Sequence, residues 1–522
     1  MNDKNKRIIS IDVGTQSVRA VLFDLKGQIT DIEKEEIEAY FSEKPGWAEQ
    51  RPDYYYQSIQ KVTKTLLERS QIPHKQILAA ALTSQRGTVV NLDKNAQVLR
   101  PAIVWPDQRR AQKAEYPNGL DAFLLKLVNM RGSAVHAVKN AECNWLQQNQ
   151  PALWEQTDKY LYLSGYLTYR LIGEFRDSVG NMVGYMPFDY KKHRWAETGH
   201  RNTKMFPVKA EMLPELVKPG EVLGKISSKA AKETGLPEGL PLIAAASDKA
   251  CEVLGSGVYD PRSACLSYGT TATVQTTLKK YKEVIRFFPP YPSAIPNFYN
   301  TEIMIYRGYW MVSWFKKQFG LREIQKAKDS GKSPEAFFDQ LLSETKPGAL
   351  GLTLQPYWSP GVRLPGTEAK GAIIGFGDVH TRAHIYRAIP EGLAYALREG
   401  LERTEKRTGI RTNRVIVSGG GSQSDQIMQI TADIFNKPAV RPHTYETSAL
   451  GAAILAAVGS GVYASHKEAV KTMCGSDKVF QPQTENRDIY EKLYKKVYLK
   501  MYGKMRPLYK SIRNITGYPD KV

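Results

Sequence analysis

The chain has 522 residues, 42% hydrophobic and 24% charged, the make-up of a soluble globular protein divided into a few domains. No run of about 18 uncharged apolar residues indicates a membrane span, and Met1-Asn2-Asp3-Lys4-Asn5-Lys6-Arg7 lacks the apolar stretch of a signal peptide, so a cytoplasmic protein is expected. Cys143, Cys251, Cys265 and Cys474 are too scattered for a disulfide scaffold or a CxxC metal site, and although the net charge of +20 raises the question of nucleic acid, Lys and Arg are spread along the chain and no nucleic-acid partner is expected.

The first strong pattern runs from Ile8 to Asp24. Two β-branched apolar runs flank Gly14-Thr15-Gln16-Ser17, which predicts a hairpin. Its turn offers backbone N–H groups and hydroxyls to an anion, glycine lets a phosphate come close, and Asp12 at the end of the incoming strand can hold the Mg²⁺ that accompanies a nucleotide. A helix is predicted from Tyr54 to Arg69, then an apolar strand from Ile77 to Thr83 that ends in Ser84-Gln85-Arg86-Gly87-Thr88, where ligands of open α/β sheets gather. Trp145 to Trp154 and Tyr160 to Leu171 read as helical. The small-residue strand Leu242-Ile243-Ala244-Ala245-Ala246-Ser247 delivers Asp248, which suits either the start of a helix from Lys249 to Leu254 or the acceptance of a proton from an alcohol.

Gly269-Thr270 repeats the first turn between strand-like runs from Ser263 to Thr277, an internal repeat that points to two similar halves. The Pro-rich stretch Phe287 to Asn297 reads as an ordered loop, with a lid or an oligomer contact as its candidate roles. A buried helix is predicted from His384 to Arg403. The strand Val415-Ile416-Val417-Ser418 enters Gly419-Gly420-Gly421, which suits close backbone approach to an adenine or ribose, and the small residues from Ala449 to Ala457 suit close helix packing. Tyr490, Leu493, Tyr494, Val497, Tyr498 and Met501 recur at helical spacing within the basic stretch Lys492 to Lys510, predicting an amphipathic terminal helix with a solvated basic face.

Asp12 to Arg19, Gly269-Thr270 and Val417 to Gln429 together resemble the FGGY carbohydrate kinases, which include glycerol kinase, xylulokinase and ribulokinase and belong to the sugar kinase, Hsp70 and actin superfamily. The resemblance implies an α/β fold of two ribonuclease-H-like domains, 1–258 and 259–522, closing around a central cleft on ATP·Mg and a sugar or polyol. By motif match it implies Asp248 as general base, Arg86, Trp105, Asp107 and Lys249 near the sugar, and Gly14, Thr15, Gln16, Gly269, Thr270, Gly308, Gly420 and Ser424 at the nucleotide, with Asp12 as the metal residue. Four departures from the family stand out: Gly87 where glycerol kinase has Glu, Gly180 in the Asp177-Ser178-Val179-Gly180-Asn181 loop, Met182 with Val183 in place of smaller residues, and Lys249 where Gln or Asn follows the base. Lys249 can pair with Asp248, meet product phosphate or point to solvent. Glu49, in a Gly-Trp-x-Glu element, reads as structural.

The expected function is ATP-dependent phosphorylation of a hydroxyl of a sugar or polyol, such as xylulose, ribulose or a small polyol. No membrane partner is expected, and a homodimer is kept as an option. The alternatives are an actin- or Hsp70-like conformational ATPase and a catalytically weak sugar-sensing homologue.

Overall fold

The computed structural model describes residues 5–128, 130–331, 333–361 and 365–518. The chain divides into two compact units, one of Met1–Tyr259, Leu278–Asn300 and Glu446–Gly475, the other of Asp260–Thr277, Thr301–Tyr445 and Ser476–Val522. Set beside the expected halves 1–258 and 259–522, two later stretches therefore pack with the first unit.

In the first unit the strand Arg7–Val13 lies inside a six-stranded sheet with the order Val222–Lys225, Pro241–Ala244, Ile77–Ser84, Arg7–Val13, Ser17–Asp24 and Ile29–Glu36. The alternation of the strands sorts their side chains by face. Ile9, Ile11, Val13, Ala80 and Leu82 meet Tyr55, Ile59 and Val62 of helix Pro52–Ser70 and Leu167 and Leu171 of helix Leu163–Ile172. Ile8, Val21, Ala79, Ala81 and Ile243 face the other way, toward helices Asp248–Gly255 and Thr447–Gly459. Alanines dominate that second face, and small side chains let the helices come close to the sheet.

The two helices touch through their backbones. A Cβ at Gly255 would lie 1.9 Å from the Thr447 carbonyl oxygen, and one at Gly451 would lie 2.0 Å from that of Cys251. The small residues from Ala449 to Ala457 thus serve the close packing their spacing suggests.

In the second unit the strand order is Tyr299–Ile305, Ala272–Leu278, Ser263–Tyr268, Arg414–Ser418, Ala439–Pro442 and Ser476–Phe480. This order repeats that of the first unit. In each, an antiparallel hairpin is followed by two parallel strands and then an antiparallel edge strand. The duplicated glycine–threonine turns therefore sit at the same place in two sheets of one topology.

Helices predicted at Tyr54 to Arg69 and His384 to Arg403 occur as Pro52–Ser70 and Arg382–Thr408. The stretch from Tyr160 differs from the expectation: Lys159–Tyr162 is a strand paired with Val89–Leu92, and the helix starts only at Leu163. Pairing with a neighbouring strand overrides the helical spacing there. The stretch Trp145 to Trp154 is broken at Gln150, where Pro151 opens a second helix. Tyr490, Tyr494, Tyr498 and Met501 are buried as expected, the three tyrosines packing around Tyr395 at ring-centroid distances of 6.3, 5.8 and 5.2 Å. Among the described residues no helix is long and apolar enough to cross a membrane.

Candidate active site

The first unit gathers Asp12, the Gly14-Thr15-Gln16 turn, Arg86, Trp105, Asp248 and Lys249. The hairpin register sets Asp12 opposite Arg19, so Arg19 Nη1 lies 3.3 Å from Asp12 Oδ2, while Arg19 Nε lies 3.4 Å from Glu446 Oε2. Burial pushes the Asp12 carboxyl up to about 7; Arg19 pulls it down, and the negative charges of Asp248 and Glu446 push it further up. A buried carboxylate crowded by two others gains from a divalent cation. Mg²⁺ keeps most of its water and takes only one or two protein carboxylates. Asp12 fits that demand, and among the described residues no cluster of three or more His, Cys, Asp or Glu is placed to hold a metal by itself.

The turn itself is tied to the neighbouring loops. Gly14 N–H donates to Ser17 O at 3.0 Å, closing the hairpin, and Gln16 at its tip is exposed. The Thr15 hydroxyl donates to Gln85 Oε1 at 2.9 Å and accepts from Trp105 Nε1 at 2.9 Å. Trp105 is therefore fastened by its N–H while its ring stays 44% exposed, an apolar face open to the C–H surface of a sugar.

Asp107, expected near the substrate hydroxyls, is engaged by its own neighbours. Its Oδ1 accepts from Arg109 N and Nε, both at 2.8 Å, and its Oδ2 accepts from Ala48 N at 2.7 Å and Arg109 Nη2 at 2.8 Å. Four donors thus converge on this one carboxylate. Arg109 also meets Glu49 at 2.8 Å and lies 4.0 Å from the Trp47 ring centroid. Glu49 and Asp107 thus belong to one buried ion network that shapes this wall.

Asp248 begins the helix Asp248–Gly255 and is half-buried. Its Oδ1 accepts from Lys249 N at 2.7 Å, and among the described residues nothing hydrogen-bonds its Oδ2. Burial raises its carboxyl above the ordinary carboxylate range; the positive charges of Arg86 and Lys249 and the Lys249 N–H pull it down, and Glu252 pushes it up. The Arg86 guanidinium lies 5.5 Å from the ring of Tyr291, which comes from the Pro-rich stretch. Gly87 has φ +65°, a left-handed conformation that disfavours any residue bearing a side chain. Lys249 turns to Glu252, its Nζ donating to Oε2 at 2.7 Å.

The loop after Asp177 buttresses the start of the helix that carries Asp248. Ser247 N donates to Gly180 O at 3.1 Å, and a Cβ at Gly180 would lie 2.5 Å from that of Ala246. The glycine at 180 is thus required by this contact. Asp177 itself is buried, accepting from Ser164 Oγ at 2.6 Å and from Ser178 N and Asn181 Nδ2 at 2.7 Å.

The second unit gathers Gly269, Thr270, Gly308 and Gly420, with Ser424 one helix entry further on. Thr270 O accepts from Gly308 N and Gly269 O from Tyr309 N, both at 2.9 Å. A Cβ at Gly308 would lie 2.2 Å from Ala272 N, so this glycine is needed where the chain crosses the hairpin. Within the triple glycine the three positions differ. Gly419 has φ +84° and would press a Cβ to 2.8 Å from Tyr268 O, and Gly421 would press one to 2.6 Å from the Tyr309 ring, whereas nothing lies within 4 Å of a Cβ on Gly420. Of the three, only Gly420 has open space where a side chain would stand. Gly420→Leu should leave the melting temperature unchanged and raise the KM for ATP by roughly tenfold, about 1.4 kcal/mol, without moving the KM for the sugar; steady-state kinetics with either substrate varied checks this.

Ser424 caps the helix Asp425–Phe435, its Oγ accepting from Ile427 N at 3.1 Å and donating to Asp339 Oδ1. Among the described residues nothing donates to the second acceptor lone pair of the hydroxyl.

Residues that the sequence reading did not assign to the site also stand here. Arg19 was legible from the hairpin, since a turn centred on Thr15 and Gln16 pairs position 12 with 19. Glu252 was legible from helical spacing, three residues after Lys249. Glu446 gave no local signal.

Two domain signatures match the chain: the N-terminal domain of the FGGY family of carbohydrate kinases over residues 7–255 and its C-terminal domain over residues 264–460. The sugar kinase YgcE of Escherichia coli strain K12 is 31% identical over 494 residues, 94% of this chain and 92% of its own. A xylulose kinase of Staphylococcus epidermidis is 27% identical over 505 residues, 93% and 94% of the two chains. The crystal structure of ligand-bound xylulose kinase from Lactobacillus acidophilus shares the fold with a TM-score of 0.79 at 22% identity, over 98% of this chain and 99% of that one. The chain therefore belongs to the FGGY family of carbohydrate kinases and is a phosphotransferase acting on the alcohol group of a small sugar or polyol.

Proposed function

We propose that this protein transfers the γ-phosphoryl group of ATP to one hydroxyl of a ketose of the xylulose or ribulose kind or of a small polyol, with Asp248 as general base. The observation that carries the assignment is the open Oδ2 of Asp248, a half-buried carboxylate whose affinity for a proton burial has raised. The acceptor hydroxyl gives its proton to Asp248, its oxygen forms the new P–O bond, and the bond to the β-phosphate oxygen breaks to release ADP. Trp105 offers its exposed ring to the carbon chain, while Arg86 sets positive charge beside the base.

The residues proposed for the nucleotide are Gly14, Thr15, Gln16, Gly269, Thr270, Gly308, Gly420 and Ser424. Asp12 is the residue assigned to Mg²⁺, which when bound neutralises charge on the phosphates. Arg19 and Glu446 keep Asp12 in place for it. The cytoplasm is the proposed location.

A panel of ketoses, aldoses and polyols tests this reading. ADP release measured with ATP·Mg should rise at least about 100-fold above the sugar-free rate for one or more members, because water is a poor competing acceptor in a closed kinase site. The same sugar should raise the melting temperature, as any ligand of the folded state does. ATP hydrolysis indifferent to every sugar would instead favour a conformational ATPase, and a melting shift without turnover would favour a sugar sensor.

A further inference from the structure

The base is followed by a lysine, and that lysine is a hazard to it. An ammonium next in sequence to a carboxylate, in a partly buried setting, gains most by pairing with that carboxylate, and a paired carboxylate is a weaker proton acceptor. Here the ammonium is turned elsewhere. Lys249 Nζ lies 2.7 Å from Glu252 Oε2 one helical turn on, with the Glu252 side chain 7% exposed and that of Lys249 20% exposed. Burial opposes the charge of Lys249, and Glu252 and then Asp248 more than offset it, so the lysine stays protonated. Arg86 already supplies one positive charge to the base. A second, pressed directly on Oδ2, would occupy the only oxygen of Asp248 to which nothing donates among the described residues.

We infer that Glu252 is a positioning residue for phosphoryl transfer: by engaging Lys249 it keeps the ammonium off Asp248 and leaves Oδ2 to the substrate hydroxyl. The inference rests on the assignment of Asp248 as base. It makes Lys249 and Glu252 a unit, so that the loss of Glu252 is harmful only while Lys249 is present.

The test is a kinetic cycle on the full chain with the best sugar from the panel, using Glu252→Gln, Lys249→Gln, the double variant and Asp248→Asn. Glu252→Gln is expected to lower kcat roughly tenfold or more with the sugar KM changed by less than about twofold, and the double variant to recover at least about fivefold of that loss. A merely structural Glu252 would not be rescued by removing its lysine. Glu252→Asp, whose carboxylate falls short of Lys249, should show the same loss and the same rescue if Glu252→Gln fails to fold. An unchanged kcat in the folded Glu252 variant, or a double variant as slow as the single one, overturns the inference while Asp248→Asn remains inactive. Full activity in Asp248→Asn overturns the assignment of the base, and the inference falls with it.

Discussion

Asp248→Asn should lower kcat by about 10²–10⁴-fold, the contribution typical of a positioned general base. The substitution keeps the shape of the side chain and the oxygen that accepts from Lys249 N at 2.7 Å, so the helix start is preserved. It also removes a charge that burial disfavours, so the melting temperature should stay level or rise. The sugar KM should change little, since the loss lies in accepting a proton during transfer rather than in binding. The sign of the pH dependence follows from the same group: a general base works ionised and burial raises this carboxyl, so in the wild type kcat should fall as pH drops, at a higher pH than for an exposed aspartate. In Asp248→Asn that fall should vanish from what activity remains.

The second large effect is on stability. Gly451→Val should destabilise the first unit by about 3–5 kcal/mol, because a core overpacked against backbone cannot be relieved by a change of rotamer. A Cβ at this position would lie 2.0 Å from Cys251 O and 2.6 Å from Cys251 C. The two helices would have to part, and one of them carries Asp248 at its first residue. A drop in melting temperature on the order of 5–10 °C follows for a unit of this size, with loss of kcat in whatever folds. Calorimetry of the two proteins side by side checks it, and a wild-type melting temperature for Gly451→Val would mean that the close helix crossing is absent.

Much of the candidate site is legible in the sequence. The hairpins announced themselves because β-branched residues flank turns rich in glycine and threonine, and their repetition foretold two sheets of one topology. Arg19 follows from the register of the first hairpin, and Glu252 from one turn of helix. What could not be read were pairings across long stretches of chain. Nothing near Thr15 announces that Trp105, 90 residues on, donates to its hydroxyl. Nothing near Asp107 announces that Ala48 completes its set of donors. The same limit explains Tyr160 to Tyr162, whose helical spacing yields to a strand partner at Val89 to Asn91, and Gly180, whose bareness is explained only by Ala246. Local chemistry announces which groups are reactive, whereas tertiary contacts decide which of them remain uncommitted.

The most direct measurement follows the label from ATP carrying ³²P at its γ position, with the wild type and Asp248→Asn assayed in parallel on a sugar that both bind. Label should leave the nucleotide as sugar phosphate in the wild type, in step with ADP, and should stay almost entirely in ATP in Asp248→Asn. Label arriving in inorganic phosphate whether or not sugar is present, or sugar phosphate forming at the wild-type rate without the carboxylate, would contradict Asp248 as the group that takes the proton.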